Sequence, residues 1–172
     1  MNINFYIHCY YPAFGGAEYL MQSLAESLHS NYNHNCRIFT TTAYSCDAFN
    51  NAKLPVISAG VDFVNSLEIN RYSINDRDST IIDKITTILN YFGNGKLKEI
   101  AKLAAIGPRS IGLMKAALFE AADISIIAAF PLLHTYTMQL GRKLFDRKYI
   151  LVGCFHINDP LHNTEINLET VK

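Results

Sequence analysis

The chain has 172 residues, 49% of them hydrophobic, which is enough to bury a substantial core as one domain. Its 15 Lys and Arg balance 15 Asp and Glu, so no general field attracts nucleic acid or an anionic membrane, and any anion site must be local. No stretch reaches the roughly 18 apolar residues of a membrane span, and Met1 leads into alternating residues rather than a signal-peptide pattern. The expectation is a cytoplasmic protein with no transmembrane segment and no nucleic-acid partner, peripheral membrane contact being left open.

Residues 3 to 29 read as a strand, a glycine turn and a helix. Ile3, Phe5 and Ile7 alternate with less apolar positions and run into Tyr10 and Tyr11, where Pro12 stops the strand. Gly15 and Gly16 permit positive φ and a close approach of backbone to a ligand. Ala17, Leu20, Met21, Leu24, Ala25 and Leu28 then recur at helical spacing, leaving Glu18, Gln22, Glu26 and His29 on the wetter side. Such a unit aims helix N-terminal amides past the carboxyl end of a strand, where an anion gains hydrogen bonds. Glu18 on the first turn stabilises the helix dipole but repels a phosphate unless it points away. The spacing is not the G-x-G-x-x-G dinucleotide fingerprint, and a Gly-Gly turn between strand and helix also has a purely steric explanation.

After a turn at residues 31–35, Cys36 to Thr42 reads as a second strand, followed by a polar loop over residues 43–54. Pro55 to Ser58 and Val61 to Val64 offer one interrupted or two short strands with a bend at Gly60, and from Asn65 to Asp78 the composition turns polar. Three helices follow without an intervening strand. The first places Ile81, Ile82, Ile85, Ile88, Leu89 and Phe92 on one face; the others cover Lys96 to Ala105 and Ser110 to Ala122, separated by Gly107-Pro108. Plain core packing is the simplest use of Leu113, Met114, Leu118 and Phe119, a dimer or membrane contact the alternative. Asp123 to Phe130 is an apolar run of strand length, as in a strand covered on both faces. Pro131 opens a helix with Leu133, Tyr136, Leu140 and Leu144 along one side and basic residues at its C-terminal end. Lys148 to Phe155 is a last strand ending at His156, and the remainder is a polar tail.

Alternating strands and helices predict an α/β fold, a Rossmann-like parallel sheet flanked by helices with a helical insertion. Ligands of such sheets bind outside the carboxyl ends of the strands. Three features fall on that edge: the Gly15-Gly16 turn, Phe130-Pro131 with His134, and His156 to Asp159. The four cysteines (Cys9, Cys36, Cys46, Cys154) form no C-x-x-C pair, which suits reduced thiols and predicts no structural metal.

Tyr11-Pro-Ala-Phe-Gly-Gly-Ala-Glu18 followed by Leu24-Ala-Glu-Ser-Leu28 resembles the opening of the family 4 glycosyltransferases, retaining enzymes built from two Rossmann domains in the GT-B arrangement. Ala122-Asp123-Ile-Ser-Ile resembles that family's "alanine, aspartate, aliphatic" strand, and Lys148 to His156 the strand that ends in its active-site histidine. The resemblance implies that residues 1–159 are the N-terminal, acceptor-side domain, with residues 160–172 leading toward a donor-binding domain. It implies that Gly15 and Gly16 lie against the donor diphosphate and the acceptor and that His156 is catalytic beside the donor sugar. Asp159 and His134 then have secondary binding roles. No cofactor is implied. The donor would be a nucleotide-diphosphate sugar, the acceptor a saccharide or a lipid-linked sugar, and a C-terminal donor-binding domain would be needed in cis or in trans. Glu165 and Glu169 stand closer together than the paired glutamates of that second domain, so this chain alone is expected to be inactive. Two alternatives of other classes are a stand-alone phosphate- or nucleotide-binding module and a non-catalytic assembly subunit.

Overall fold

The computed structural model describes residues 1–75, 77, 84, 87, 88, 91 and 95–153. Its elements are β1 (Asn2–Tyr6), α1 (Gly16–Ser30), β2 (Asn35–Thr41), a short 3-10 turn (Cys46–Phe49), β3 (Gly60–Val64), β4 (Leu67–Tyr72), α2 (Gly95–Ile106), α3 (Ile111–Phe119), β5 (Ile124–Ala128), α4 (Leu133–Phe145) and β6 (Tyr149–Val152). The sheet order is β3-β4-β2-β1-β5-β6. Only the β3-β4 hairpin is antiparallel; β4, β2, β1, β5 and β6 run parallel. The protein is therefore an α/β, Rossmann-like domain whose chain reverses its direction of travel across the sheet between β1 and β5.

The alternation in β1 divides the core. Ile3, Phe5 and Ile7 pack with Met21 and Ala25 of α1 and with Ile38, Ile69 and Ile126 from neighbouring strands, and Leu24 and Leu28 close that layer. Tyr6 turns to the other face, against Phe39, Leu113, Ala116, Ala117, Ile127 and Met138. Both faces of β1 are thus covered by helices, as a central parallel strand requires. A third cluster of Cys9, Ala13, Ala43, Ala48, Phe49 and Ile74 lies past the strand ends. It anchors the loops that follow β1 and β2.

Three expectations need correction. Residues 67–72, within the stretch read only as polar, form β4, in which Leu67, Ile69 and Arg71 face inward while Glu68, Asn70 and Tyr72 are half-buried. Burying Leu67 and Ile69 contributes about 1.5–3 kcal/mol each, which outweighs the poor strand propensity of Glu68 and Asn70. The buried arginine hid the alternation. Pro55 to Ser58 is not a strand; only an isolated bridge joins Val56 to Ala43. In α4 the inward residues are His134, Thr135, Met138 and Gly141, whereas Leu140 and Leu144 are 47% and 60% exposed. The cause is a close helix contact. A Cβ on Gly141 would stand 3.2 and 3.3 Å from the carbonyl oxygens of Leu118 and Ala117, so the glycine face is the one that lets α4 approach α3.

The helix expected over residues 81–92 lies mostly outside the described residues; Lys84, Thr87, Ile88 and Tyr91 are helical, and Ile88 is exposed rather than packed. Helices α2 and α3 match the expected pair. Ser110 caps α3 by accepting a hydrogen bond from the Leu113 amide at 3.3 Å, and Gly107 between them takes a φ of 84°, which glycine alone adopts without strain. Leu113 is buried in the core while Phe119 is 60% exposed and meets the Phe145 ring at 6.2 Å.

Candidate functional site

Because β1 lies between β2 and β5, the loops leaving β1 and β2 meet on one edge of the sheet. Their meeting encloses a cleft of about 520 Å³ whose walls include His8, Phe14, Gly15, Gly16, Glu18 and Cys46. His8 continues the β1 line and is pinned there, since its carbonyl accepts a 2.6 Å hydrogen bond from the Thr41 hydroxyl of β2. Its ring packs edge-on against Phe49 at 5.8 Å. From the other wall, the first turn of α1 brings Glu18 to 3.1 Å from His8 Nε2, both side chains being largely buried.

Glu18 also explains Gly15. The backbone of Gly15 is extended, with a φ of −170° that any residue adopts, so positive φ is not what the turn requires. The Glu18 carboxylate folds back over it instead. A Cβ on Gly15 would lie 2.1 Å from Oε2, and the carboxylate also bonds its own backbone amide. The helix N-terminus is therefore partly satisfied by a residue of the helix itself. At Gly16 the situation is opposite, because a Cβ there meets nothing within 4 Å. The space beside Gly16 belongs to the cleft.

The cleft holds a strongly coupled set of titrating groups. Burial alone lowers the His8 pKa, but interaction with Cys46 and then with Glu18 outweighs it and raises the value to about 9. The hydrogen bond to His8 holds Glu18 below the usual carboxylate range despite its burial. Cys46 drops to about 5, through Cys9 first and His8 second, against the effect of burial. Cys9 moves up, because the Cys46 sulfur and then burial disfavour its thiolate. These directions favour a charged His8 beside a Cys46 thiolate and the Glu18 carboxylate, with Cys9 kept as the thiol. Donor atoms of His8, Cys9 and Cys46 lie within 4.8 Å of one another, and this is the one such group among the described residues.

His134, expected on the same edge, begins α4 and is completely buried. Its Nε2 donates to the Ala128 carbonyl at 2.8 Å while Nδ1 has no hydrogen-bond partner among the described residues. Burial, with a smaller contribution from the His8 charge, lowers its pKa to about 4. A neutral, inward imidazole of this kind supports the loop after β5 and does not reach the cleft as a base. Gly15, Gly16 and His134 are thus on one edge, with only the glycines lining the cleft. His156 and Asp159, and with them the tail from residue 160, lie outside the described residues.

Sequence reasoning passed over His8, Cys9 and Cys46. The available signal was the register of parallel strands: with β1 beside β2, residues just past Tyr6 and just past Thr41 must be neighbours. Arg71 was also missed. It is buried, its Nη2 donates to the Tyr11 carbonyl at 2.5 Å, and Asp62 stands 3.7 Å away, so the hairpin edge holds the loop that carries Gly15.

These features define a Rossmann-like domain with a cleft at the carboxyl edge of its sheet, between the loops that follow β1 and β2. No protein-family model matches the chain, and no curated protein matches it either.

Proposed function

We propose that this domain is the acceptor-side half of a retaining glycosyltransferase that moves a sugar from a nucleotide-diphosphate donor to a saccharide or lipid-linked acceptor. The observation that carries the proposal is the cleft at the carboxyl edge of the sheet, with open space beside Gly16, since the family 4 resemblance predicts substrate there. The wall chemistry agrees with a sugar. Phe14 is 89% exposed and stands edge-on to Tyr11 at 6.4 Å, offering an apolar face to a ring, and the Glu18 carboxylate accepts hydrogen bonds from hydroxyls. Tyr10 is fully buried and takes no part. A stand-alone phosphate module is disfavoured by Glu18, whose negative charge covers the start of the helix.

Under this reading the donor-binding half is supplied in cis or in trans, and His156 steadies charge as the nucleoside diphosphate departs. The test joins the domain to a donor-binding half and measures sugar transfer. Gly16→Trp puts a bulky side chain at a cleft position where an added Cβ meets nothing within 4 Å, and it is expected to reduce transfer at least ~100-fold with an unchanged circular dichroism spectrum; His156→Ala is expected to lose a similar factor. Full transfer in both variants would end the proposal.

A further inference from the structure

We infer that His8, Cys9 and Cys46 form a zinc-binding site at the floor of the cleft between the β1 and β2 loops, with Glu18 as the carboxylate that orients the histidine. Two independent observations carry the inference. The first is the convergence of one nitrogen and two sulfur donors within 4.8 Å. Donors around a tetrahedral zinc with bonds of about 2.0–2.3 Å lie roughly 3.3–3.8 Å apart, so closing the set takes movements of about 1 Å or less. Cys46, exposed on its loop, can supply most of that movement by rotation about its side-chain bonds.

The second observation is the histidine itself. His8 is 95% buried, its Nε2 is engaged by Glu18 at 3.1 Å, and Nδ1 has no well-formed hydrogen bond among the described residues, the ring otherwise interacting with the nearby Cys46 sulfur. A buried ring nitrogen without a partner is costly unless something occupies the place in front of it. With Nε2–H donated to a carboxylate, loss of the Nδ1 proton to an incoming metal leaves a lone pair there, which is the carboxylate–histidine–metal arrangement that fixes ring orientation and raises ligand basicity. Coordination releases two protons to solvent, one from the Cys9 thiol and one from His8 Nδ1, and leaves His8 neutral with its Nε2 proton on the Glu18 side. Two thiolates and an imidazole favour zinc over magnesium or calcium. Three protein ligands leave a fourth position directed to the cleft, open to water or to a substrate oxygen. The inference does not depend on the glycosyltransferase reading.

The test uses the whole chain, fully reduced by thiol counting and kept under nitrogen, titrated with Co²⁺ and then with Zn²⁺. One equivalent of cobalt should give sulfur-to-cobalt charge transfer and the intense visible bands of a tetrahedral thiolate site, and zinc should displace it. Cys46→Ser should remove about half of the charge-transfer intensity or all binding; Cys46 is at the surface, so this variant retains the fold even where a serine at buried position 9 does not. Glu18→Gln should keep the spectrum and weaken affinity ~10–100-fold. A reduced protein without the charge-transfer band overturns the site, as does a band that survives Cys46→Ser unchanged. Wild-type affinity in Glu18→Gln removes Glu18 from it.

Discussion

The buried imidazole of His134 makes the stability of this domain depend on pH in a defined direction. Its folded pKa is about 4 against an ordinary value of 6.5, and the cause is burial. The unfolded chain therefore binds a proton that the folded chain refuses between those two values. Stability from this group is complete above pH 6.5 and is lost as pH falls from 6.5 to about 4. At 1.36 kcal/mol per pH unit the loss from neutrality is about 2 kcal/mol at pH 5 and about 3 kcal/mol at pH 4. The perturbation is His134→Gln, which retains an amide donor for the Ala128 carbonyl and removes the titration. Urea unfolding of both proteins at pH 7.5, 6 and 5 gives the comparison. The variant is less stable at pH 7.5, since it is fitted imperfectly into a buried place, but the wild type should lose about 2 kcal/mol more than the variant on going to pH 5. Parallel stability curves would refute the reasoning, because other titrating groups are common to both proteins and only the buried imidazole distinguishes them.

Two further outcomes follow from contacts in the cleft and in the helix layer. Gly15→Ala places a methyl group where the Glu18 carboxylate lies, and because that contact is with the end of a flexible side chain the cost falls on the Glu18–His8 pair. The His8 pKa should then drop from about 9, as followed by imidazole proton resonances, and Glu18→Gln should move it in the same direction; an unshifted titration in Gly15→Ala would refute the pairing. Met138→Ala, in the layer between α4 and the sheet, should cost about 2–5 kcal/mol in chemical denaturation, whereas Leu144→Gln on the outer side should stay within about 0.5 kcal/mol. Equal costs would mean that α4 is rotated.

Much of the architecture was legible because a period is a local property. Ile3, Phe5 and Ile7 specify a strand, residues 17–28 specify α1, and the apolar run from Asp123 to Phe130 specifies a strand covered on both faces; each follows from spacing within a few residues. Strand β4 was not legible, because its third inward position is Arg71, whose burial depends on the Tyr11 carbonyl 60 residues away. The face of α4 was misjudged for a related reason. Periodicity ranks side chains by hydrophobicity, but the packed face was chosen by the absence of one at Gly141, where two helix backbones come together.

At the candidate site, local spacing is enough to open a helix with a glycine turn past the end of a strand and to seat Glu18 on its first turn. What that turn faces depends on packing between distant elements. Whether Glu18 points away or folds over Gly15 is a matter of rotamer and partner, and the partner, His8, is brought by the strand and not by the helix. Cys9 and Cys46 meet because β1 and β2 are parallel neighbours, and no local pattern expresses adjacency between residues 37 positions apart. Local periodicity produces elements; chemistry that draws on several elements arises from the order in which the sheet assembles them.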